Sequence, residues 1–304
     1  MTRLLFFLAL TLLPTASLLA QTPRSYADFQ ALGLKHYAQG NYEEAIAAFT
    51  KAIELSSSLT TTSNPLGNLS FSAQLTNGST ANAGVRAIDR RTATAFMSRG
   101  AARVALGDVE GGVSDFDQAI AIRPAFALAY YNRCMAWLSQ NELEQALADC
   151  DKALKIDPKL VEGYTGRGTV QIDTGNIQAA FADFNQAISI APKSAEPYYA
   201  RGDAYRLMGE REKAVADFDR AIKLSSHHAS AHYGLAMVCL DQRALDRAIV
   251  YFTKAIELDG RMAYAYGNRG LALMLQGKDE EARADLDKAV RLAPYLREKL
   301  EANA

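Results

Sequence analysis

The 304-residue sequence lacks an excess of charge of either sign, because 33 Lys and Arg residues stand against 34 Asp and Glu residues. Its formal net charge is −1 and its pI is near 6.5. It also lacks a stripe of Lys and Arg interleaved with aromatic residues, which is the basic footprint that nucleic-acid-binding proteins use. We therefore expect no nucleic-acid partner.

Motifs for catalysis are missing as well. There is no glycine-rich phosphate loop, no nucleophile elbow and no Cys-x-x-Cys pair. Of the four histidines, His227, His228 and His232 are close together and the last two are one helical turn apart, but no third metal ligand is evident. The sequence thus predicts a protein that is not an enzyme and that has no cofactor and no bound metal.

The sequence has instead a strict internal period. Six stretches align every 34 residues without a gap, and a seventh copy begins at Tyr26. The six stretches begin at Ala93, Ala127, Val161, Ala195, Ala229 and Ala263. Small residues recur at places 8, 20 and 27 of this unit, counted from its first residue, and large residues recur at places 4 and 24. This spacing predicts two closely packed helices in each unit, because small residues let helices approach one another.

The turn between the two predicted helices is marked at place 15. In six of the seven repeats this place holds a residue that accepts a left-handed backbone, and Arg243 departs from the pattern. The six residues are Gly40, Gly107, Asn141, Gly175, Gly209 and Gly277.

These columns resemble the tetratricopeptide repeat family, whose signature is a 34-residue pair of antiparallel helices. The resemblance covers residues 26–59 and 93–296. It implies an all-α fold, an α-α superhelix or solenoid of helix pairs, with a loop-rich insertion after the first repeat. The expected organisation is a signal peptide at 1–20, a first repeat at 21–59, an insertion at 60–92, six contiguous repeats at 93–126, 127–160, 161–194, 195–228, 229–262 and 263–296, and a C-terminal cap at 297–304.

Places 7 and 23 carry charges that appear and vanish together along the chain. Five repeats have Arg and Asp at these places, whereas the repeats that begin at Tyr26 and Ala229 have apolar residues or a tyrosine there. We therefore predict a partly buried contact between the two helices of each charged repeat. The predicted pairs are Arg99 with Asp115, Arg133 with Asp149, Arg167 with Asp183, Arg201 with Asp217, and Arg269 with Asp285.

The N-terminal segment differs from the repeats. Arg3 precedes an apolar run at 4–13, and Pro14 and small residues ending at Ala20 follow it. This order is typical of a secretory signal, so we expect an exported protein, periplasmic or secreted. The alternative is an uncleaved membrane anchor formed by residues 4–20.

The insertion at 60–92 is rich in Ser, Thr, Asn and Gly, a composition that is typical of a loop. A short strand or hairpin around Leu69, Phe71, Ala73 and Leu75 is the alternative, because these residues alternate with polar ones. The last part of the insertion, from about Val85 to Arg91, is expected to lengthen the helix that follows.

The three cysteines all fall in packing columns. Cys134 and Cys150 occupy places 8 and 24 of one repeat, and Cys239 occupies place 11 of another. This placement favours small apolar core residues, although a Cys134–Cys150 disulfide is the alternative in an oxidising compartment.

In proteins that resemble this one, places 2, 5, 9, 12 and 13 line the concave side of the superhelix and face the ligand. The resemblance therefore implies a protein-binding groove with apolar and mostly acidic polar members. A stripe of Tyr and Met can instead pack against the next repeat, and that alternative stays open. The groove residues are Met97, Tyr131, Met135, Glu162, Asp173, Glu196, Tyr199, Asp203, Arg206, Tyr233, Met237, Asp241, Tyr264, Leu271 and Met274.

We accordingly expect a non-catalytic scaffold that binds a protein or peptide segment, with a basic or amphipathic segment fitting the acidic members best. Some family members bind acidic chain ends with a clamp of Lys, Asn and Arg. This chain has Asn132 and Asn268 at place 6 but lacks the Lys and Arg partners, so that mode is not expected. The alternative function is a glycan- or lipid-binding envelope protein that uses the same groove.

Overall fold

The computed structural model describes residues 25–62 and 80–297, and every regular element in those ranges is a helix. The predicted all-α fold of stacked helix pairs is confirmed. The signal peptide predicted at 1–20, and with it the alternative anchor at 4–20, lies outside the described residues. So does the predicted cap beyond residue 297.

Fourteen α-helices and one short 3-10 helix are described in those two ranges. They are α1 (Tyr26–Gln39), α2 (Tyr42–Thr62), α3 (Thr80–Leu106), α4 (Val109–Ile122), α5 (Ala127–Ser139), α6 (Leu143–Ile156), α7 (Val161–Asp173), α8 (Ile177–Ile190), α9 (Glu196–Leu207), α10 (Arg211–Leu224), α11 (Ala229–Asp241), α12 (Leu245–Leu258), α13 (Ala263–Met274), α14 (Asp279–Leu292) and the 3-10 helix at Pro294–Leu296. Over residues 25–62 and 80–297, none of these helices is both long enough and apolar enough to cross a membrane.

The helix ends follow from local chemistry. At the start of α1 the Ser25 hydroxyl accepts from the Asp28 amide and the Asp28 carboxylate accepts from the Ser25 amide, so two N-terminal amides are satisfied. Positive φ angles occur at place 15 of every described repeat, where the first helix ends and the chain reverses. Arg243, which departs from the sequence pattern, adopts the same left-handed backbone, with φ of 56°.

Close packing within several helix pairs depends on a ring that lies against a glycine. A Cβ added at Gly33 would lie 2.5 Å from the ring of Phe49, and one added at Gly202 would lie 3.0 Å from the ring of Phe218. Both rings are fully buried. Places 8 and 24 therefore form one packing contact, and a larger residue at place 8 would push the two helices apart.

The chain divides into two compact units, residues 1–170 and 171–304, and the division falls within α7. In unit 1 the apolar cores gather around Phe49, Phe116 and the Cys134–Cys150 region. In unit 2 they gather around the phenylalanines at place 24 of three repeats, which are Phe184, Phe218 and Phe252. Each unit thus builds its core from the repeat columns.

The insertion is more helical than its composition suggests. Residues 60–62 continue α2 and residues 80–92 belong to α3, so the prediction that the helix lengthens only from about Val85 places its start too late. Contacts with the first helix pair hold the last residues of this segment. The Tyr26 hydroxyl donates to the Arg91 carbonyl oxygen over 2.8 Å, and the Thr92 hydroxyl donates to Ser56 over 2.9 Å. These contacts favour helix at the end of the segment, although its composition disfavours helix. The strand considered around Leu69–Leu75 lies outside the described residues.

Four of the predicted Arg–Asp pairs are joined in the structure. In each, Nε and Nη2 of the arginine donate to the two carboxylate oxygens of the aspartate over 2.6 to 2.8 Å. The aspartate side chains are only 3% to 10% exposed. These pairs are Arg99–Asp115, Arg133–Asp149, Arg201–Asp217 and Arg269–Asp285. The members of the fifth pair, Arg167 and Asp183, belong to different units, and that pair stays a prediction.

Each arginine at place 7 also contacts the preceding repeat. Its Nη1 donates to the residue at place 25 of that repeat, over 2.6 Å from Arg201 to Asn185 and over 3.0 Å from Arg269 to Thr253. The guanidinium lies 5.3 to 5.8 Å from the centre of the aromatic ring at place 4 of its own repeat. One arginine therefore ties its own two helices to the repeat before it. The other contacts of this kind are Arg99 to Thr50, Arg133 to Asp117 and Arg167 to Asp151.

The interpretation of Cys134 and Cys150 as two free core residues is wrong, because the structure joins them in a disulfide between α5 and α6. They are nevertheless fully buried. Places 8 and 24 face each other where Gly33 meets Phe49 and where Gly202 meets Phe218, so two cysteines at these places come within bonding reach. Cys239 is free and buried.

Candidate protein-binding surface

The predicted groove residues fall into three classes of burial. Met97, Tyr131 and Met135 are buried, and Asp173 and Asp241 are exposed. Ten are partly buried, namely Glu162, Glu196, Tyr199, Asp203, Arg206, Tyr233, Met237, Tyr264, Leu271 and Met274. The assignment of the whole set to ligand binding stays a prediction, but burial limits which members a ligand can reach.

In unit 1 the tyrosine and methionine stripe packs inside the protein. A Cβ added at Gly166 would lie 2.9 Å from the ring of Tyr131 and 3.2 Å from the sulfur of Met135, so the side chains lie directly on the next first helix. Together with Met97 they belong to the apolar cores of this unit. The structure therefore places these three residues in the apolar cores of unit 1, and their burial does not favour a direct role in ligand binding.

In unit 2 the corresponding places form a polar surface on α9, α11 and α13, which we call the first-helix surface. Its most buried charged side chain is that of Arg206, which is 9% exposed. The Nε atom of Arg206 donates to Asp203 Oδ1 over 2.9 Å on the same face of α9. Burial lowers the pKa of Arg206, but Asp203, Tyr233 and Asp241 outweigh it and the pKa is raised. The guanidinium is thus held charged and in a fixed position.

Tyrosines surround this ion pair. Burial raises the pKa of Tyr199 well above its ordinary value, and Asp203 and Glu196 raise it further. Burial also raises the pKa of Tyr233, although Arg206 lowers it. Both phenols therefore stay neutral at neutral pH, and a neutral phenol can both donate and accept a hydrogen bond.

A residue of the next repeat fixes the position of Tyr233. The Nδ2 atom of Asn268 on α13 donates to the Tyr233 hydroxyl over 2.8 Å and lies 3.5 Å from the sulfur of Met237. Because Asn268 stands at place 6, where neighbouring repeats have small residues such as Gly234, it links α13 to α11 by a polar contact. The tyrosine is therefore held by two repeats.

His228 lies at the edge of the surface and contacts both α9 and α11. Its Nδ1 accepts from the amide of Ala231 over 3.2 Å, which leaves the proton on Nε2 to donate to Glu196 Oε2, also over 3.2 Å. Its ring lies 5.2 Å from that of Tyr199. Both nitrogens of His228 are therefore engaged, and the histidine pair considered as a metal site is not preformed. No group of three or more metal-ligating side chains occurs among the described residues.

The charge and polarity of this surface define what it can bind. Glu196, Asp203 and Asp241 outnumber the single cation Arg206, so the surface carries an excess of negative charge at neutral pH. In the last three repeats, place 13 holds Leu207, which is 54% exposed, then the exposed Asp241, and then Leu275, which is 67% exposed. The surface therefore offers an acidic centre between two apolar side chains.

Four members of this site fall outside the sequence-based set. Asn268 donates to the Tyr233 hydroxyl, and His228 is hydrogen-bonded to Glu196. Leu207 and Leu275 supply exposed apolar area. The leucines could have been found in the sequence, since they stand at place 13 with Asp241. Nothing in the sequence distinguishes the role of His228, because it depends on the direction of its ring.

Comparison with known families agrees with this architecture. Family models described as tetratricopeptide repeat match residues 27–58, 127–160, 161–194, 199–263 and 263–296. A comparison with curated proteins finds no match.

Several solved structures share the fold. A tetratricopeptide repeat protein from Parabacteroides merdae ATCC 43184 is 18% identical with a TM-score of 0.59, and the match covers 91% of this chain and 96% of that one. A thermophilic repeat protein of Thermus thermophilus is 22% identical with a TM-score of 0.56, over 60% of this chain and 99% of that one. Yeast Tom70 is 18% identical with a TM-score of 0.62, over 93% of this chain and 63% of that one. At these identities the likeness concerns the fold alone.

Proposed function

Because this chain belongs to the tetratricopeptide repeat family, we propose that it is a non-catalytic scaffold that binds a segment of another protein on the first-helix surface of unit 2. Proteins of this family are generally scaffolds for protein–protein interaction. The observation that carries the proposal is the cluster around Arg206, in which an ordered ion pair and two neutral tyrosines lie at a partly exposed surface. Ordered polar groups at a surface can bind a ligand without losing much side-chain entropy.

The chemistry of the surface favours a segment with a cationic residue between apolar ones. An acidic centre formed by Asp203 and Asp241 attracts Lys or Arg, and the exposed side chains of Leu207 and Leu275 offer contact to apolar residues on either side. Tyrosine faces add contact area at a low cost in entropy, since a tyrosine has few rotatable bonds.

A labelled amphipathic Leu/Lys peptide and a matched Leu/Glu peptide test this specificity. The full-length chain should bind the Leu/Lys peptide more tightly, and the Asp203→Asn, Asp241→Asn double variant should weaken that binding about 10-fold, which is ~1.4 kcal/mol. The matched control is Asp219→Asn, an exposed aspartate at place 25, which should leave binding unchanged. Equal binding of the two peptides would contradict the cationic specificity.

Site-specific photo-cross-linking in intact cells tests whether a protein binds here at all. A cross-linking residue placed at Asp241 should capture a protein, while the same residue at Asp219 should not. Capture should be lost when Tyr199→Ala and Tyr233→Ala are added. If positions 241 and 219 capture the same proteins equally, the first-helix surface is not the binding site.

We also propose that the chain acts outside the cytoplasm, in the cell envelope or in a secreted form. The apolar run at 4–13 followed by Ala20 supports export, and so does the disulfide, because disulfides persist mainly in oxidising compartments. Cell fractionation with mass spectrometry of the N-terminus tests this. A mature chain beginning near Gln21 in the exported fraction is expected, whereas an intact Met1 in the cytosol would refute it.

A further inference from the structure

The disulfide lies where the other repeats place a large side chain. Place 24 is Phe or Leu in every repeat except 127–160, where it is Cys150. Place 8 is Gly or Ala in those six repeats, and in repeat 127–160 it is Cys134. Repeat 127–160 therefore has neither the large apolar residue at place 24 nor the small residue at place 8 that pack together in the other repeats.

The lost ring leaves volume that two separate thiols do not fill. In the repeat that begins at Ala93, the ring of Phe116 would lie 2.8 Å from a Cβ added at Gly100, so it packs directly against that glycine. Cys134 and Cys150 lie in the equivalent space and are fully buried. Neither two thiols nor a disulfide has the volume of a phenyl ring, but the disulfide links the two helices covalently. The reduced repeat therefore has neither the ring nor the link.

We propose that the Cys134–Cys150 disulfide replaces the aromatic contact of the other repeats, and that unit 1 reaches full stability only after a disulfide-bearing oxidant has acted on the chain. This goes beyond the proposed scaffold function, because it makes the chain a substrate for thiol–disulfide exchange before it binds any partner.

The oxidation is a balanced two-step exchange. One cysteine thiolate attacks a sulfur of the oxidant's disulfide, forms a mixed disulfide with it and releases the oxidant's other sulfur as a thiol. The second cysteine thiolate then attacks the sulfur of the first cysteine in the mixed disulfide. The Cys134–Cys150 bond forms, the bond to the oxidant breaks, and the oxidant leaves in its dithiol form. Two electrons and two protons pass to the oxidant in total.

Burial sets the order of these events. Both cysteines of the pair are inaccessible in the folded repeat, so the oxidant must act before or during the docking of α5 on α6. The third cysteine does not compete once the chain has folded, because Cys239 is only 4% exposed. Burial also raises the pKa of the Cys239 thiol, which disfavours the reactive thiolate.

Denaturant unfolding of the full-length chain, with and without a thiol reductant throughout, tests the proposal. Reduction should lower the equilibrium constant for folding about 100-fold, as expected for a bond that closes a loop of this length. The double variant Cys134→Gly, Cys150→Phe installs the contact of the other repeats. It should be about as stable as the oxidised chain and insensitive to reductant.

Controls separate this result from a general loss of packing. Cys239→Ala should keep the full response to reductant, and Cys134→Ala with Cys150→Ala should match the reduced wild type. After unfolding of the oxidised chain, an alkylating reagent should label Cys239 alone. Labelling of all three cysteines, no effect of reductant on the wild type, or a Gly/Phe variant no more stable than the double alanine variant would each overturn the proposal.

Discussion

Repeats 195–228 and 229–262 follow one another in unit 2, yet they join their two helices by different means. In the first, Arg201 bridges Asp217 and lies over the ring of Tyr198. In the second, those three places hold a leucine, a tyrosine and a histidine, which are Leu235, Tyr251 and His232. Leu235 is buried in an apolar cluster against which Tyr251 packs. The comparison shows that places 7 and 23 change as a set, because a charged group on one helix needs its partner on the other.

The largest effect is expected when only half of this set is changed. Arg201→Leu would leave the Asp217 carboxylate, 9% exposed, without its cation, and should lower the free energy of unfolding by about 3–5 kcal/mol. Adding Asp217→Tyr copies the apolar pair of repeat 229–262 and should recover most of the loss. Urea unfolding followed by circular dichroism measures both. Losses that simply add in the double variant would mean that the two residues do not interact.

A second difference between the two repeats is the turn residue. Arg243 has a left-handed backbone where repeat 195–228 has Gly209, and this conformation costs a residue with a Cβ about 1–2 kcal/mol. Arg243→Gly should therefore raise the free energy of unfolding by about 1 kcal/mol after the added entropy of the unfolded glycine is subtracted. Gly209→Ala is the reciprocal control and should destabilise. A destabilised Arg243→Gly variant would show that the arginine side chain makes contacts that offset the strain.

The contacts between repeats should matter less than those within one. Arg133 contacts two aspartates, of which Asp149 is 10% exposed and Asp117 is 52% exposed. Asp117→Asn should therefore cost only about 0–1 kcal/mol, and added salt should reduce the difference from wild type. Asp149→Asn in the same assay should cost more. Equal losses would mean that exposure does not set the strength of these pairs.

The smallest effect is expected from pH. Burial lowers the pKa of His232, and the nearby Lys254 and His228 lower it further. The folded state therefore binds a proton less readily than the unfolded state, so this stability is present above the unfolded pKa of about 6.5 and is lost as the pH falls below it.

His232→Tyr copies the aromatic residue of repeat 195–228 and removes this titration. The difference in unfolding free energy between wild type and variant should grow in favour of the variant as the pH falls from about 7 to 5. Parallel pH profiles would show that His232 titrates alike in both states.

Much of the candidate site could be predicted from the residues that stand at fixed places of the repeat. Tyr199, Tyr233 and Asp203 stand at places that resemble ligand-facing positions, and the structure leaves them at a partly exposed surface. The same columns include Tyr131 and Met135, which are buried. The sequence could not separate the two cases, since Tyr131 and Tyr199 are both followed by a glycine at place 6 of the next repeat, and their burial depends on how closely the helices approach there.

The period, the helix pairs, the turns at place 15 and the Arg and Asp places were all predictable from the amino-acid sequence, because these features repeat and depend on local backbone and side-chain chemistry. Three features became visible only in the folded chain: each arginine also contacts place 25 of the preceding repeat, Cys134 is bonded to Cys150, and α3 begins at Thr80. These features depend on distances between separate helices, and such distances are set by packing, which no single column records.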